Sequence, residues 1–328
     1  VFNLPEPLPP APAALAFRPR ICDNTAMRRS STLLRREALD GYLFISPWII
    51  GFLLFTLGPM AFSLYASFCD WDMLHPPRWV GLTNYRQMFT DDFRFVKSLG
   101  VTLKYSAMAL PLGVVTSLGI AILLNQKVKG LTLFRAIYYI PAILPGVAVA
   151  MLWKWIFNPE SGVINLLLAR LGIDGPGWFT DPAWAVPALV IMSLWGAGAG
   201  MIIYLAGLQS VPTQLYEAAE IDGAGPWMKF RSVTLPMISP TIFFNVVMGI
   251  IGSFQVFTSA FVITGGAGSP AYSTLFYVLY LYQKAFNYFA MGYACALAWV
   301  LFLIILTLTL IVFWSGKHWV YYEAERRG

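Results

Sequence analysis

Glu217-Ala218-Ala219-Glu220-Ile221-Asp222-Gly223-Ala224-Gly225-Pro226, running on through Phe230 to Leu235-Pro236 and Pro240, is a charged, small-residue island between two apolar runs, 184–208 and 237–263. Each run is longer than the roughly 20 residues that a helix needs to cross a bilayer core, and neither carries a charge. A segment this polar between two spans belongs in water. The island therefore reads as a surface that a membrane protein offers to a soluble partner.

Working outward, hydrophobic residues make up 58% of the chain and charged residues 12%, against about 45–50% and 25% in soluble domains. That excludes an ordinary soluble globule. Six apolar spans are expected, at 43–68, 101–124, 134–157, 184–208, 237–263 and 290–314. The fold class is an all-α integral membrane protein, a six-transmembrane-helix bundle with short interfacial helices between spans. The expected organisation is an extension and basic segment at 1–42, a membrane domain at 43–314 with an inner loop at 210–236, and a tail at 315–328. Pro111, Pro141 and Pro145 each remove a backbone hydrogen bond within an apolar run and are expected to kink it. Gly196, Gly198, Gly200, Gly249 and Gly252 allow helices to approach closely.

Orientation follows from basic residues at span ends. Arg28, Arg29, Arg35 and Arg36 precede the first span, Lys127, Lys129 and Arg135 fill the second loop, Lys229 and Arg231 sit in the island, and Lys317, Arg326 and Arg327 follow the last span. With an even number of spans these segments share one side, so both termini and the island are expected to be cytoplasmic. Arg78, Arg86, Arg94, Lys97 and Lys104 run against this bias in the first outer loop and the start of the second span. The net charge of +6 thus reflects membrane topology rather than nucleic acid. Cys22, Cys69 and Cys295 have no paired spacing and indicate neither disulfide nor zinc. Residues 1–26 are rich in proline and alanine and read as disordered, with Met27-Arg28-Arg29 resembling a natural start.

No catalytic constellation is legible. His75 and His318 fall on opposite sides of the membrane, no metal-ligand spacing occurs, and Gly316-Lys317-His318 lacks what a phosphate loop requires. The chain therefore reads as a non-enzyme with no catalytic, cofactor-binding or metal-binding residue, and any ATP that drives it is bound elsewhere. No Asp or Glu lies mid-span, which leaves a proton relay without residues. Mid-span polarity comes from Ser193, Trp195, Tyr204, Asn245, Ser253 and Gln255. These are neutral groups suited to another helix or to a neutral polar solute.

In the loops, 70–85 suits short interfacial helices, 165–171 one helix ended by Asp174-Gly175-Pro176-Gly177, and Thr264-Gly265-Gly266 closes the fifth span. In the island, Ser210 or Thr213 is expected to cap a helix that Pro212 starts and that Gly223 and Gly225-Pro226 stop. Glu217 and Glu220 share a face, Ala218 and Ala219 keep the helix thin, and a second short helix from Trp227 ends before Leu235-Pro236.

Glu217-Ala218-Ala219, Asp222-Gly223-Ala224, Phe230 and Leu235-Pro236, at these separations, resemble the cytoplasmic signature of permease subunits of binding-protein-dependent ATP-binding cassette importers of the carbohydrate-uptake type. The resemblance runs from Tyr42 onward and includes Gly81-Leu82-Thr83-Asn84-Tyr85, Leu123-Leu124-Asn125, Trp155-Ile156-Phe157-Asn158-Pro159, Ala206-Gly207-Leu208-Gln209, Ser253-Phe254-Gln255 and Met291-Gly292-Tyr293-Ala294. It implies the importer-permease bundle, with a coupling helix that docks into an ATPase subunit and with Glu217, Ala218, Ala219, Asp222, Gly223 and Ala224 at the contact. It also implies a second related permease, two ATPase subunits holding ATP and Mg²⁺, an extracytoplasmic solute-binding protein and a bacterial inner membrane. Ser193, Trp195, Ser253 and Gln255 are the candidates for the solute pathway. A secondary transporter or channel is the rival reading and would need an intramembrane ion-coupling residue or a repeat, neither of which is visible. A membrane enzyme is the second rival and would need a catalytic group.

Overall fold

The computed structural model describes residues 24–126 and 129–321. The expectations for 1–23, Cys22, Lys127, Arg326 and Arg327 fall outside these residues. The chain divides into two compact units, 1–61 and 62–328. The first holds α1 (Asn24–Phe52), a π-helical turn (Leu53–Leu57) and the start of α2 (Gly58–Ser67). By length and composition Arg35–Ser67 is one candidate span.

The second unit begins with a feature not expected in the sequence. A two-stranded hairpin, β1 (Cys69–Asp70) and β2 (Arg78–Trp79), pairs Cys69 with Trp79. Asp72 shapes its connection, since Oδ1 accepts the backbone N–H of Leu74 and of His75 while Oδ2 meets the His75 ring at 2.7 Å. That ring bond, with the backbone bonds, draws the Asp72 pKa down to about 2. The expected interfacial helix follows as α3 (Thr83–Thr90).

α4 (Phe93–Leu124) is one continuous helix through Pro111. It packs against α8 (Ala185–Trp195), α9 (Gly198–Gln209), α13 (Ser239–Phe254) and α15 (Tyr277–Tyr282), while Pro111 itself is exposed. Pro141 likewise sits inside α5 (Leu131–Ile143). The break falls instead at Leu144-Pro145, where both residues are extended, and α6 (Gly146–Ile156) leaves at 99°. α7 (Val163–Arg170) lies where a helix was expected, but it is ended by Gly172 at φ 73° rather than by 174–177. Its closing bonds run from the Gly172 and Ile173 N–H groups to the carbonyls of Ala169 and Leu168.

The fourth span is α8 (Ala185–Trp195) and α9 (Gly198–Gln209), bent by 50°. α10 (Thr213–Ile221), α11 (Pro226–Lys229), a π-helical turn (Phe230–Thr234) and α12 (Leu235–Met237) form the island. The fifth run holds α13 (Ser239–Phe254) and α14 (Thr258–Thr264), closed as expected at Gly265 and Gly266, which take φ 61° and 81°. α15 (Tyr277–Tyr282), a π-helical turn (Gln283–Asn287) and the last span, α16 (Met291–Trp319), complete the chain. Four helical segments cross by length and composition, and six do if each bent pair is one span. The six expected spans are matched when each bent pair is taken as one span.

The core follows this layout. One cluster joins α4, α8, α13, α15 and α16 around Phe254, Leu275, Phe276, Tyr277 and Leu297. A second, around Leu118, Met201, Tyr204, Leu208 and Ile238, joins α4, α9 and the base of α13. It sits directly beneath the island.

Candidate functional site: an exposed loop and a polar cavity

α10 starts without the side-chain cap expected of Ser210 or Thr213. Pro212 occupies the cap position in an extended conformation, and the Ser210 hydroxyl donates back to the Gly207 carbonyl at 2.8 Å. The helix is launched by the rigid φ of proline. Its end is as expected. Gly223 takes φ 79°, its N–H donates to the Glu220 carbonyl at 3.0 Å, and the Ala224 N–H reaches the Ala219 carbonyl at 2.8 Å. This closure needs a residue free to adopt the left-handed region.

The second helical piece does not stop before Leu235-Pro236. The π-helical turn shifts the pattern so that the Leu235 N–H donates to the Phe230 carbonyl, and α12 then runs through Pro236. Two contacts brace the pieces. Lys229 Nζ lies 2.8 Å from Glu220 Oε2, and the hydroxyls of Tyr216 and Thr234 meet at 3.0 Å. The Lys229 ammonium, bonded to Glu220, holds that carboxyl below its usual range. Glu217, Ala218, Asp222 and Gly223 are exposed, and Ala219 and Ala224 half-buried. Glu217 has no hydrogen bond or ion pair among the described residues. Beside these lies apolar surface that water does not favour, with Ile221 87% and Trp227 72% exposed. The brace was not read from the sequence, although the signal was there in Lys229, the first basic residue after the glycine turn.

The four pathway candidates are not all brought together. Ser193 and Ser253 line one cavity of about 540 Å³, with Tyr105, Ser117, Tyr204 and Asn245. Trp195 lines an adjoining cavity of about 310 Å³ that shares Ser193 and Gly196 with the first. Gln255 lies in neither lining and is exposed beyond the end of α13. The Ser193, Ser253 and Asn245 side chains each donate to a carbonyl one turn back, at 2.7, 3.1 and 2.9 Å. The hydroxyl oxygens keep lone pairs for a guest. The buried Tyr204 hydroxyl has no partner. Ser117 was missed, and its role shows only in three dimensions: its hydroxyl donates at 3.0 Å to the Ala197 carbonyl at the bend of α8 and α9.

Glycines let the helices around the cavity approach closely. A side chain on Gly198 would collide with the Tyr138 carbonyl, and one on Gly200 would come within 2.9 Å of Ser117 Oγ. Gly252, in contrast, has nothing within 4 Å of where a Cβ would stand.

Apolar helices that gather neutral polar groups around a cavity, and leave one braced charged loop exposed, have the layout of a multi-pass membrane protein. Residues 109–319 match the family of binding-protein-dependent transport system inner membrane components, and the chain belongs to that family. It is 46% identical over 302 residues to the probable ABC transporter permease protein YesP of Bacillus subtilis, covering 92% of this chain and 97% of that one. The lactose transport system permease protein LacF of Rhizobium radiobacter is 33% identical over 293 residues, covering 88% and 97% of the two chains. Among solved structures, a chain of a bacterial alginate ABC transporter, in complex with alginate pentasaccharide-bound periplasmic protein, superposes with a TM-score of 0.76 at 26% identity. That match covers 87% of this chain and 96% of that one.

Proposed function

We propose that this chain is one membrane-spanning permease subunit of an ATP-driven sugar importer. It forms half of the translocation pathway and transmits ATPase closure through the loop at 210–236. The observation that carries the reading is the island. A short helix closed by Gly223 and stapled to its neighbour by Glu220 and Lys229 presents Ile221 and Trp227 to water. Exposed apolar residues ringed by polar ones mark a protein contact. Sugar as the cargo is supported by the lactose permease and by the alginate transporter.

In this reading the helix α10 docks on a separate ATPase subunit, with Glu217, Ala218, Ala219, Asp222, Gly223 and Ala224 at or next to the contact. ATP and Mg²⁺ belong to two such subunits, a second permease completes the pathway, and an extracytoplasmic binding protein delivers the solute at a bacterial inner membrane. Both termini then lie in the cytoplasm with the island. Coupling requires that the ATPase bind one arrangement of the spans better than another. Ser193 and Ser253, joined by Asn245 and Tyr204, offer the hydrogen bonds that a neutral polar solute needs. Trp195 supplies an aromatic face next door, and Gln255 a further polar group at the end of α13.

The test is ATP-dependent sugar uptake by the reconstituted complex. Glu217→Lys reverses an exposed charge, and Gly223→Pro removes both the φ and the N–H on which the helix closure depends. Each is expected to leave the protein inserted and to abolish uptake. Normal uptake in both variants would remove the coupling role of the island.

A further inference from the structure

A second cavity, of about 430 Å³, lies at the Phe93 end of α4, away from the island. Its lining includes Phe93, Lys97 and Lys104 on α4, Val186 on α8, and Ser273 in the segment between α14 and α15. No acidic side chain is in the lining among the described residues. Lys97 and Lys104 are seven positions apart, so they stand on one stripe of the helix about two turns, roughly 10 Å, from each other. Lys104 is roughly 16 Å along the helix from Phe93, at the start of the apolar run 101–124, and is exposed.

The other cations of this region are committed. Arg94 donates to the Tyr288 hydroxyl at 2.9 Å and lies over the Tyr272 ring, and Lys284 lies 3.9 Å from Asp92 and 4.7 Å from the centre of the Tyr293 ring. Lys97 and Lys104 have no ion pair or hydrogen bond among the described residues. Two ammonium groups at the edge of a span, with no acidic partner in the lining they share, are placed to receive an anion. The independent observation is Ser273. Its side chain is 8% exposed, it lines the same cavity, and its buried hydroxyl has no hydrogen-bond partner. Two free ammonium groups and an orphaned hydroxyl around one void lack an acceptor-rich guest.

We infer that this cavity is a binding site for a carboxylated saccharide, with Lys97 and Lys104 pairing its carboxylate and Ser273 bonding a ring hydroxyl. The exposed ring of Phe93 at the rim and the apolar side of Val186 suit the face of a sugar ring, which an anion without a carbon skeleton would not use. The inference rests on the sugar-import reading and narrows it to acidic sugars. It uses none of the residues of the larger neutral cavity.

The experiment measures saturation-transfer NMR of the purified permease–ATPase complex with glucuronate and glucose as probes, beside uptake in vesicles with the binding protein present. Glucuronate is expected to bind and to weaken as salt rises. Lys97→Gln with Lys104→Gln is expected to reduce its affinity by about tenfold or more, Ser273→Ala by about threefold, while the double arginine variant retains binding. Glucose is expected to be indifferent to all of these. Glucuronate bound equally by the glutamine variant, or not bound at all, overturns the inference. So does a lysine effect confined to stabilisation by phosphatidylglycerol over phosphatidylcholine vesicles, since the anion would then be a lipid headgroup. Uptake of a neutral sugar without glucuronate binding would sink this inference alone; absence of any sugar uptake would sink the reading beneath it.

Discussion

α4 and the α8–α9 pair lie side by side, and each carries a helix breaker, yet one is continuous and the other bends by 50°. In α4 the breaker is Pro111, an exposed residue, and the segment continues through it as one helix. In the pair, the break at Gly196-Ala197 is stabilised by a neighbour: Ser117 of α4 donates to the Ala197 carbonyl, which also accepts the Met201 N–H that opens α9. The continuous helix therefore supports the broken one. Helix breakers in a membrane are permissive, and the backbone need not turn at them. The polar cavity opens where it does turn.

The largest effect is expected from closing the gap between α9 and α5. Even Gly198→Ala puts a methyl group against the Tyr138 carbonyl, and backbone cannot swing aside as a side chain does. Overpacking of this kind costs about 3 kcal/mol. Thermal unfolding of the detergent-solubilised protein is expected to show a clear loss of Tm, and an unchanged Tm would contradict the close approach.

The continuous helix is anchored at its other end by Asp92. Its Oδ1 accepts the N–H groups of Arg94 and Phe95, while Oδ2 accepts the hydroxyls of Tyr280 and Tyr293. Burial works against the charge of Asp92, but the two tyrosines, the Phe95 N–H and the Lys284 ammonium outweigh it and hold the carboxyl below the usual range. Asp92→Asn is expected to cost about 2 kcal/mol. A depressed carboxyl stabilises the fold above its unfolded pKa, about 4, and loses that contribution as pH falls through the folded value. Unfolding midpoints measured from pH 6 to pH 3 should drop less in the asparagine variant than in the parent. Parallel curves would mean that Asp92 carries no such linkage.

Smaller still is the bond at the bend. Ser117→Ala removes this interhelical bond and leaves the Ala197 carbonyl with the Met201 N–H alone; such bonds contribute about 0.6 kcal/mol within a membrane. A fall in stability of that order, together with faster hydrogen exchange around Ala197, would tie the bend to α4. No change in exchange would leave the bend to the backbone alone.

How far the sequence carries this comparison depends on the kind of signal. Apolar runs, the Gly223 and Gly265 helix ends and the exposed island are local properties, and each is visible in the residues themselves. The hub at Asp92 is not, because its partners Tyr280 and Tyr293 are nearly 200 positions away, and the acid reads only as one of several in a loop. Pro111 and Pro145 look alike in sequence and act differently, since α4 runs on through the first and the chain turns at the second. The same holds for the pathway residues. Ser193 and Ser253 converge because α8 and α13 both meet α4, whereas Gln255, two residues beyond Ser253, falls past the helix end.

Gly252 offers the finest test of whether the cavity beside the bend is a route or a packing void. Its neighbour Gly249 would strike Leu110 if given a side chain, but Gly252 faces open space. In a void, the methyl should stabilise, because alanine suits a helix better than glycine by about 1 kcal/mol. In a route, the same methyl stands beside Ser253 where solute must pass. Gly252→Ala is expected to keep or raise the unfolding midpoint while raising the KM of uptake about twofold, and Gly252→Leu to raise it further. Stability gained without any change in uptake would make the cavity a packing defect next to a bend, and would move the solute path away from Ser193 and Ser253.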